Sequence, residues 1–209
     1  MDDAEQARAY AEADFAEPHQ AFVTYFQERF PRHRPQRVVD LGCGPCDVTV
    51  RFARAYPDCQ ILALDGSEPM LAQAHALLAG AQMLERVTLV QRSLPDLSSV
   101  GHDRDTLISN SLLHHLHDPL VLWRTVHALA VSGAVVQVMD LMRPPSRSAV
   151  LHLVEAYASD APDVLRRDFA NSLSAAFTPT EIVAQLAEAG LALRVEVVSD
   201  RHVLVSGQL

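Results

Sequence analysis

The chain has 209 residues, of which 49% are hydrophobic and 21% are charged, which excludes a disulfide-stapled mini-domain and a disordered chain. Lys and Arg number 17 against 26 Asp and Glu, giving a formal net charge of −9 at pH 7. This balance argues against a nucleic-acid partner, because non-specific affinity for the phosphate backbone depends on surplus basic side chains.

Cysteine content and hydropathy indicate a cytoplasmic protein. Cys43, Cys46 and Cys59 are too few, and odd in number, for a secreted disulfide framework. The acidic N-terminus lacks a basic-then-apolar signal pattern, and the most apolar stretch, residues 128–139, is too short to span a membrane. We therefore expect a reducing compartment and no membrane segment, whereas the sequence leaves the oligomeric state open.

The first part of the chain is predicted to form a helical cap. Aromatic and alanine side chains recur at spacings of three and four over residues 3–30, which is the period of a helix. Pro18 predicts a break between two helices, and Pro31 ends the second one. The predicted cap comprises residues 1–35, and the main domain comprises residues 36–209.

Strands and helices alternate along the first half of the main domain. Strands are predicted at residues 37–41, 60–64, 87–90, 106–109 and 134–140, and helices at residues 47–56, 67–81 and 120–130. This alternation predicts a parallel sheet covered by helices on both faces.

The alternation ends after the fifth strand. Residues 144–176 are predicted to be mostly helical, and an insertion of this size beside a site commonly serves as a lid. A helix from Thr178 to Gly190 follows, with a capping signature at its start and a glycine at its end. The last two strands, 191–198 and 201–207, are too closely connected to be parallel. The predicted fold is α/β, with a seven-stranded sheet that is parallel except for the last, antiparallel strand.

A glycine turn connects the first strand to the first helix of the main domain. Gly42 permits a tight turn and Gly44 lets the backbone approach a ligand, while the helix N-terminus can accept an anionic group. Asp65 ends the second strand, where a carboxylate can accept hydrogen bonds from both hydroxyls of a ribose. The dinucleotide fingerprint needs glycine where Asp47 stands, and no Walker lysine follows the turn. The pattern therefore indicates either a nucleoside ligand other than NAD or a nucleoside triphosphate, or a purely structural turn in which Asp65 caps a helix.

Three segments resemble motifs of the class I S-adenosylmethionine-dependent methyltransferases, in their small-molecule branch. Residues 40–45 resemble the first motif, residues 64–70 the second, acidic motif, and residues 109–119 the fourth-strand motif. The match covers about residues 36–140. It implies that residues 36–209 form a Rossmann-like methyltransferase domain with S-adenosyl-L-methionine as cofactor. It also implies methyl transfer to a small-molecule acceptor by direct in-line displacement.

The resemblance places cofactor-binding residues at the carboxyl ends of the strands, where open parallel sheets bind ligands. The implied set is Asp40, Gly42, Cys43 and Gly44 in the turn around the methionyl part, Asp65 at the ribose hydroxyls, Gly66 and Met70 against the adenine and ribose, Ser93 and Leu94 facing the adenine, and Asn110 and Ser111 beside the sulfonium or the amino-acid tail. Two positions depart from the family pattern. Cys46 stands where a third glycine is usual, and Gln91-Arg92-Ser93 stands where an acidic residue often follows the third strand.

The turn also contains a second pattern. Cys43-Gly-Pro-Cys46 is letter for letter the redox box of thioredoxins, and it lies between a strand and a helix as such boxes do. The chain is much longer than a thioredoxin fold needs, and the preceding Asp-Leu-Gly explains the same turn without redox chemistry. A thiol–disulfide protein acting through Cys43 and Cys46 is therefore the remote alternative.

A histidine cluster follows the fourth strand. His114, His115 and His117 lie beside Asp118 and contain ligand types that metals use. Adjacent histidines in a helix diverge by about 100°, so no metal site is predicted. His114 and His115 either line the pocket or act as the catalytic base, since imidazole titrates near neutral pH.

The acceptor pocket is expected between the N-terminal cap and the helical insertion. The candidate acceptor-binding residues are Tyr10, Phe15, His19 and Tyr25 in the cap, and Arg143, Tyr157 and Phe169 in or beside the insertion. The alternative is that these aromatic side chains belong to the core. The sequence does not separate oxygen, nitrogen, sulfur or carbon as the methylated atom, and an RNA or protein methyltransferase or a non-catalytic S-adenosylmethionine-binding module stays open.

Overall fold

A computed structural model describes residues 15–98 and 100–209. Within these residues the strands are β1 (Arg37–Leu41), β2 (Gln60–Asp65), β3 (Val87–Gln91), β4 (Arg104–Asn110), β5 (Ala130–Leu141), β6 (Arg194–Val197) and β7 (His202–Gln208). The helices are α1 (Ala16–Arg29), α2 (Asp47–Ala55), α3 (Glu68–Gly80), α4 (Leu120–Leu129), α5 (Arg147–Ala158), α6 (Asp163–Ala175) and α7 (Pro179–Glu188), with a 3-10 turn at Leu113–His115.

All seven strands form one sheet in the order β3-β2-β1-β4-β5-β7-β6. Strands β1 to β5 pair in parallel, and β7 is antiparallel to both β5 and β6. The predicted sheet, parallel except for its last strand, is confirmed. The chain order reverses between β1 and β4, and ligands bind at such a switch point beyond the carboxyl ends of the strands.

Helices cover both faces of the sheet, and apolar side chains fill the space between. On one face, α1, α2 and α3 bury side chains such as Phe26, Phe52 and Leu78. On the other face, α4 and α7 bury Trp123 and Leu186. A third, smaller cluster holds α5 and α6 together beside the end of β5. Each face thus buries the continuous apolar stripe that a parallel strand presents.

Helix α1 is anchored in the main core. The rings of Phe26 and Phe52 meet edge to face with centroids 4.9 Å apart, and Gln137 Nε2 in β5 donates a hydrogen bond of 2.7 Å to the carbonyl of Phe22. The helix begins at Ala16, so the boundary expected at Pro18 lies earlier in the chain. Proline is accommodated in a first turn because the N–H groups there have no intrahelical acceptor.

An ionic contact also holds α1 against α2. Asp47 Oδ2 accepts hydrogen bonds from His19 Nδ1 at 2.7 Å and from Arg51 Nε at 2.8 Å. The hydrogen bond from His19, with a smaller contribution from Arg51, lowers the pKa of Asp47 from 3.8 to about 2. The first residue of α2 is thereby tied to the first turns of α1.

Replacing Asp47 with asparagine is expected to lower the free energy of unfolding by about 1 kcal/mol at pH 7, an effect limited by the 37% exposure of the carboxylate. Because the pKa is lower in the folded state, the stabilisation is present above about pH 4 and disappears as the pH falls toward 2. Urea unfolding at pH 7 and pH 3 measures this. The difference between wild type and variant should shrink at pH 3, and a difference independent of pH would contradict the assignment.

Candidate active site

A cavity of about 680 Å³ lies beyond the carboxyl ends of β1, β2 and β4. We call it the strand-end cavity. The cofactor-binding residues predicted from the resemblance that line it are Asp40, Gly42, Cys43, Gly44, Asp65, Gly66, Met70, Ser93, Asn110 and Ser111. Leu94 does not line it, because its side chain packs against the core on the α4 side of the sheet.

The glycine turn forms the floor of this cavity. The backbone N–H groups of Gly42 and Cys43 both donate to the carbonyl of Leu64, at 2.8 and 2.9 Å, so the turn is tied to the end of β2. Gly42 has φ +71°, and a Cβ atom there would lie 2.7 Å from Leu112 Cδ1. Gly44 has φ +51°, and a Cβ atom there would meet no atom within 4 Å. The two glycines therefore serve different needs: close packing at Gly42 and an open surface at Gly44.

Asp65 joins two loops at the cavity wall. Its Oδ2 accepts a hydrogen bond of 2.8 Å from the N–H of Gly44, and its Oδ1 accepts one of 2.8 Å from the N–H of Ser67. A carboxylate has about four acceptor positions, so both oxygens can still accept from a ligand. Gly66 lies against Ser93, whose Oγ would be 2.4 Å from a Cβ atom at that position.

Asp40 is a buried carboxyl at the same wall. It is 2% exposed, and Thr49 Oγ1 donates a hydrogen bond of 2.6 Å to its Oδ2. Burial raises the pKa of Asp40 from 3.8 to about 7, against the opposing effect of the hydrogen bond from Thr49. Asp40 can therefore change its charge near neutral pH when a cation enters the cavity.

The end of β4 contributes a left-handed backbone conformation at Ser111 and an unpaired acceptor oxygen at Asn110. Ser111 has φ +59°, and its N–H donates to the carbonyl of Met139 at 2.9 Å. Asn110 Nδ2 donates to Ser111 Oγ at 3.3 Å. The Oδ1 atom of Asn110 is buried without a hydrogen-bond partner among the described residues. A buried carbonyl oxygen ordinarily has a hydrogen-bond donor, so Asn110 Oδ1 is available to accept a hydrogen bond from a bound ligand.

The two cysteines of the turn are free thiols. The hydrogen bond with Cys46, followed by burial, raises the pKa of Cys43 well above its ordinary value. Catalytic thiols in redox boxes have lowered pKa values, so this environment disfavours thiol–disulfide chemistry. Cys46 is fully buried and has φ +69°, which explains why glycine is usual at this position.

A second cavity of about 730 Å³ adjoins the first. We call it the insertion cavity, because α5 and α6 form much of its wall together with the end of β5 and the start of β7. Ser111 and His115 line both cavities. Two ligands bound in the two cavities would therefore meet at these side chains.

His114 lies in the wall of the insertion cavity and is held by a buried carboxylate. Its Nδ1 lies 2.5 Å from Asp140 Oδ1, and the N–H groups of Leu113 and Leu141 donate to Asp140 at 2.7 Å each. These contacts fix the Asp140 carboxylate, which in turn holds the imidazole ring of His114 in one orientation. Sequence reasoning missed Asp140, although a single acidic residue within the most apolar strand already signals a buried partner.

His115 stacks on His114 with ring centroids 4.0 Å apart. Its side chain is exposed to the cavities, yet surrounding protein atoms desolvate it. This desolvation, and secondarily the proximity of His114, lowers the pKa of His115 from 6.5 to about 4. His115 is therefore uncharged at neutral pH, and it lacks the carboxylate that orients His114.

The predicted acceptor-binding residues are distributed over several places. Phe15, Tyr157 and Phe169 line the insertion cavity, whereas His19 lines the strand-end cavity. Tyr25 lines neither, because its hydroxyl donates to the carbonyl of Val198 and its ring lies under Arg29.

Arg143 also lines neither cavity, because Glu181 in the first turn of α7 binds its guanidinium. Tyr10 lies outside the described residues. The structure thus brings only part of the candidate acceptor set together.

The histidine cluster divides between the two cavities. His114 lines the insertion cavity, His117 the strand-end cavity, and His115 both. In the described part of the chain no group of three or more His, Cys, Asp or Glu side chains is placed to hold a metal ion. Among the same residues, no helix combines the length and the apolar character that a membrane span requires.

Comparison with known proteins identifies a matching family model and several proteins of similar sequence. Residues 38–133 match a family model described as a methyltransferase domain. The chain is 34% identical over 164 residues to trans-aconitate 2-methyltransferase of Methylobacterium nodulans, a match covering 77% of this chain and 56% of that protein. It is 32% identical over 171 residues to the enzyme of the same name from Rhodococcus jostii, covering 79% and 61%. The chain thus spans less than two thirds of the length of these relatives.

A solved structure shares the fold. The crystal structure of an S-adenosylmethionine-dependent methyltransferase from Aquifex aeolicus matches with a TM-score of 0.74, covering 99% of this chain and 98% of that one at 14% identity. At this identity the likeness concerns the fold alone. The family model and the sequence relatives agree with this fold, and together they support a class I S-adenosylmethionine-dependent methyltransferase.

Proposed function

We propose that this chain catalyses methyl transfer from S-adenosylmethionine to a small-molecule acceptor by direct in-line displacement. The observation that carries the proposal is the meeting of two cavities at Ser111 and His115. A cofactor in the strand-end cavity and an acceptor in the insertion cavity would have their reacting atoms side by side. Such orientation can supply up to about 7–11 kcal/mol of the barrier.

The chemistry of the strand-end cavity fits this cofactor. Asp40 and Asp65 line it, and no Lys or Arg belongs to its described lining, so its walls favour a cationic ligand over a phosphate. Asp65 would accept from the ribose hydroxyls, and Asn110 Oδ1 from the ammonium group of the methionyl part. The open space above Gly44 allows the backbone to approach the ligand. S-adenosylmethionine held there would supply a methyl carbon activated by a sulfonium. The carbon–sulfur bond would break, with its electron pair going to sulfur, as the bond to the acceptor forms.

A direct test combines binding and turnover. Calorimetric titration of the protein with S-adenosylmethionine should show micromolar binding. Incubation with the methyl-labelled cofactor and a cell extract, separated into small molecules, RNA and protein, should label the small-molecule fraction and form S-adenosylhomocysteine. Binding without S-adenosylhomocysteine in any fraction would indicate a non-catalytic module, and label in RNA or protein would contradict the acceptor class. Absence of binding would overturn the proposal.

Asp40 is expected to make cofactor binding depend on pH. A bound cation favours the carboxylate, so the pKa of Asp40 falls from about 7 on binding and a proton is released. Affinity should therefore rise about tenfold between pH 6 and pH 8. Calorimetry in two buffers of different ionisation enthalpy counts the released proton. In Asp40→Asn the proton release should vanish, and equal heats in both buffers for wild type would contradict the assignment.

A further inference from the structure

We infer that the helical insertion formed by α5 and α6 opens as one unit, and that Tyr157, Asp200 and Arg201 form a latch that holds it closed over the insertion cavity. These three side chains connect α5 with the loop between β6 and β7. That the cavity behind the latch receives the methyl acceptor rests on the proposed function, whereas the latch itself does not.

The insertion leaves and rejoins the main domain at one place. Met142, directly after β5, forms an isolated parallel bridge with Phe177, and the N–H of Arg143 donates to the carbonyl of Phe177 at 3.2 Å. Residues 144–176 therefore begin and end side by side. A segment of this kind can rotate about its ends without displacing a strand of the sheet, as hinged lids do.

The insertion packs chiefly on itself. Its apolar cluster is separate from the two clusters that cover the sheet, and the member that the sheet contributes is Leu141 in β5. Arg166 also bonds within the insertion, to Glu155 at 3.1 Å and to the carbonyl of Ser159 at 3.4 Å. In α6, which is described throughout, Leu173 is the one buried side chain. A segment with few buried contacts to its surroundings opens at low free-energy cost.

The latch bridges the insertion and the main domain. The hydroxyl of Tyr157, in the last turn of α5, donates to Asp200 Oδ2 at 2.7 Å. The guanidinium of Arg201 lies over the ring of Tyr157, 3.4 Å from the centroid, and Arg201 Nη1 donates to Asp200 Oδ1 at 2.9 Å. Each side chain thus contacts the other two. Because the Arg201 side chain is only 15% exposed, water screens these contacts less than it screens an ordinary surface ion pair.

The protonation states of the latch suit these contacts at neutral pH. The hydrogen bond to Asp200 raises the pKa of Tyr157, so the hydroxyl keeps its proton. Desolvation acts to raise the pKa of Asp200, but the hydrogen bonds from Tyr157 and Arg201 outweigh it and lower that pKa. Asp200 therefore accepts from both neighbours as a carboxylate, and hydrogen bonds to an ionised group are the stronger ones.

Burial does not account for the position of Tyr157. The residue is 50% exposed, so its hydrogen bond and its cation–π contact hold it more than the removal of its ring from water does. Tyr157 and Arg201 both line the insertion cavity, so release of Tyr157 would displace part of that wall. Opening would also draw α6 away from the 3-10 turn Leu113–His115, against which it packs. The closed insertion would thereby exclude water from the junction of the two cavities.

Distances between two spin labels test whether the insertion moves. Leu151 in α5 and Val183 in α7 are both exposed, and the native thiols are buried, so labels on Leu151→Cys/Val183→Cys report the position of the insertion relative to the main domain. Adding Tyr157→Ala should raise the population at a second distance about tenfold, since the hydrogen bond and the cation–π contact are lost together. Adding Tyr157→Phe keeps the ring under Arg201 and should raise it only about threefold.

A control and a double variant sharpen this measurement. His152→Ala removes an exposed ring from the same helix and should leave the distance distribution unchanged. Asp200→Ala should open the insertion, and Tyr157→Ala/Asp200→Ala should open it no more than Tyr157→Ala does, within twofold, because the two residues act through one another. Additive effects would contradict a shared latch, and an unchanged distribution in both single variants would overturn the inference.

Hydrogen exchange on the unlabelled full chain separates opening from unfolding. Rotation of the insertion as a unit preserves its helical hydrogen bonds, so amides of α5 and α6 in Tyr157→Ala should stay within about threefold of wild-type protection. Helix propensity is higher for alanine than for tyrosine, so the substitution does not itself weaken α5. Large losses of protection in α5 or α6 would show local melting and refute movement as a unit.

Failure of the latch and failure of the proposed function give different results. The described lining of the strand-end cavity contains none of the three latch residues, so S-adenosylhomocysteine should bind each variant within twofold of wild type. If it does not bind the wild-type protein, the proposed function fails and the distance measurement still stands. If it binds and the distances do not respond to Tyr157→Ala, only the latch is wrong.

Discussion

Asp65→Ala is expected to weaken the binding of S-adenosylmethionine by about 100-fold. The wild-type carboxylate accepts from the N–H groups of Gly44 and Ser67, so its removal releases both loops and also the predicted ribose contacts. Hydrogen bonds to charged groups contribute about 1.5–3 kcal/mol each, and the loss of two corresponds to at least about 3 kcal/mol. Calorimetric titration with S-adenosylmethionine measures the change directly.

Two control variants separate the possible causes. Asp58→Ala removes an exposed aspartate in the loop before β2 and should leave the affinity within twofold of wild type. Asp65→Asn keeps the size of the side chain and one acceptor oxygen, and its affinity should lie between those of wild type and Asp65→Ala. Wild-type affinity in Asp65→Ala would contradict the location of the ribose site.

Gly42→Ala is expected to destabilise the folded protein by about 2–4 kcal/mol. The new methyl group would lie 2.7 Å from Leu112 Cδ1 and 2.9 Å from Leu112 Cβ, and overpacking of this kind costs about 1–3 kcal/mol. The left-handed conformation at φ +71° adds about 1–2 kcal/mol for any residue with a Cβ atom. Urea unfolding measures the change in free energy.

Gly44→Ala is the matched comparison. A Cβ atom at this position meets no atom within 4 Å, so folding should lose only the conformational cost of about 1–2 kcal/mol. Its methyl group would instead occupy space that the cofactor needs, so binding should suffer more than stability. The double variant Gly42→Ala/Leu112→Ala should recover part of the stability lost in Gly42→Ala. Equal losses in both single variants would show that the steric account of Gly42 is wrong.

Local signals in the sequence were sufficient for the glycine turn and the strands around it. Gly42, Gly44 and Asp65 were predicted to face one ligand, and the structure places them in one cavity. The reason is geometric, because parallel strands direct their carboxyl ends to the same edge of a sheet. Once the strands are known, the residues that follow them are neighbours.

The sequence signals that mark the starts of helices are equally local. Thr178 and Glu181 form the capping box that the sequence predicted, and Ser67 caps α3. A cap depends on residues within one turn of each other. The start of α1 was displaced from the expected position because proline is compatible with a first turn as well as with a break.

Contacts between distant segments could not be derived in this way. The insertion of β7 between β5 and β6 depends on which edge of the sheet the last hairpin joins. The partner of His114 is Asp140, 26 positions along the chain, and Arg201 contacts both Tyr157 in α5 and Asp200 in the β6–β7 loop. Sequence patterns of three or four residues carry no information about such pairs.

The sequence by itself determined the α/β alternation, the glycine turn and the identity of the family, because each depends on residue types at fixed, short spacings. Only the tertiary structure decided that two cavities meet at Ser111 and His115 and that Asp140 orients His114. It alone showed that Tyr25 and Arg143 lie outside both cavities. The reason is that the lining of a cavity depends on which side chains are left without partners after folding, and the partners of a side chain are determined by the tertiary structure.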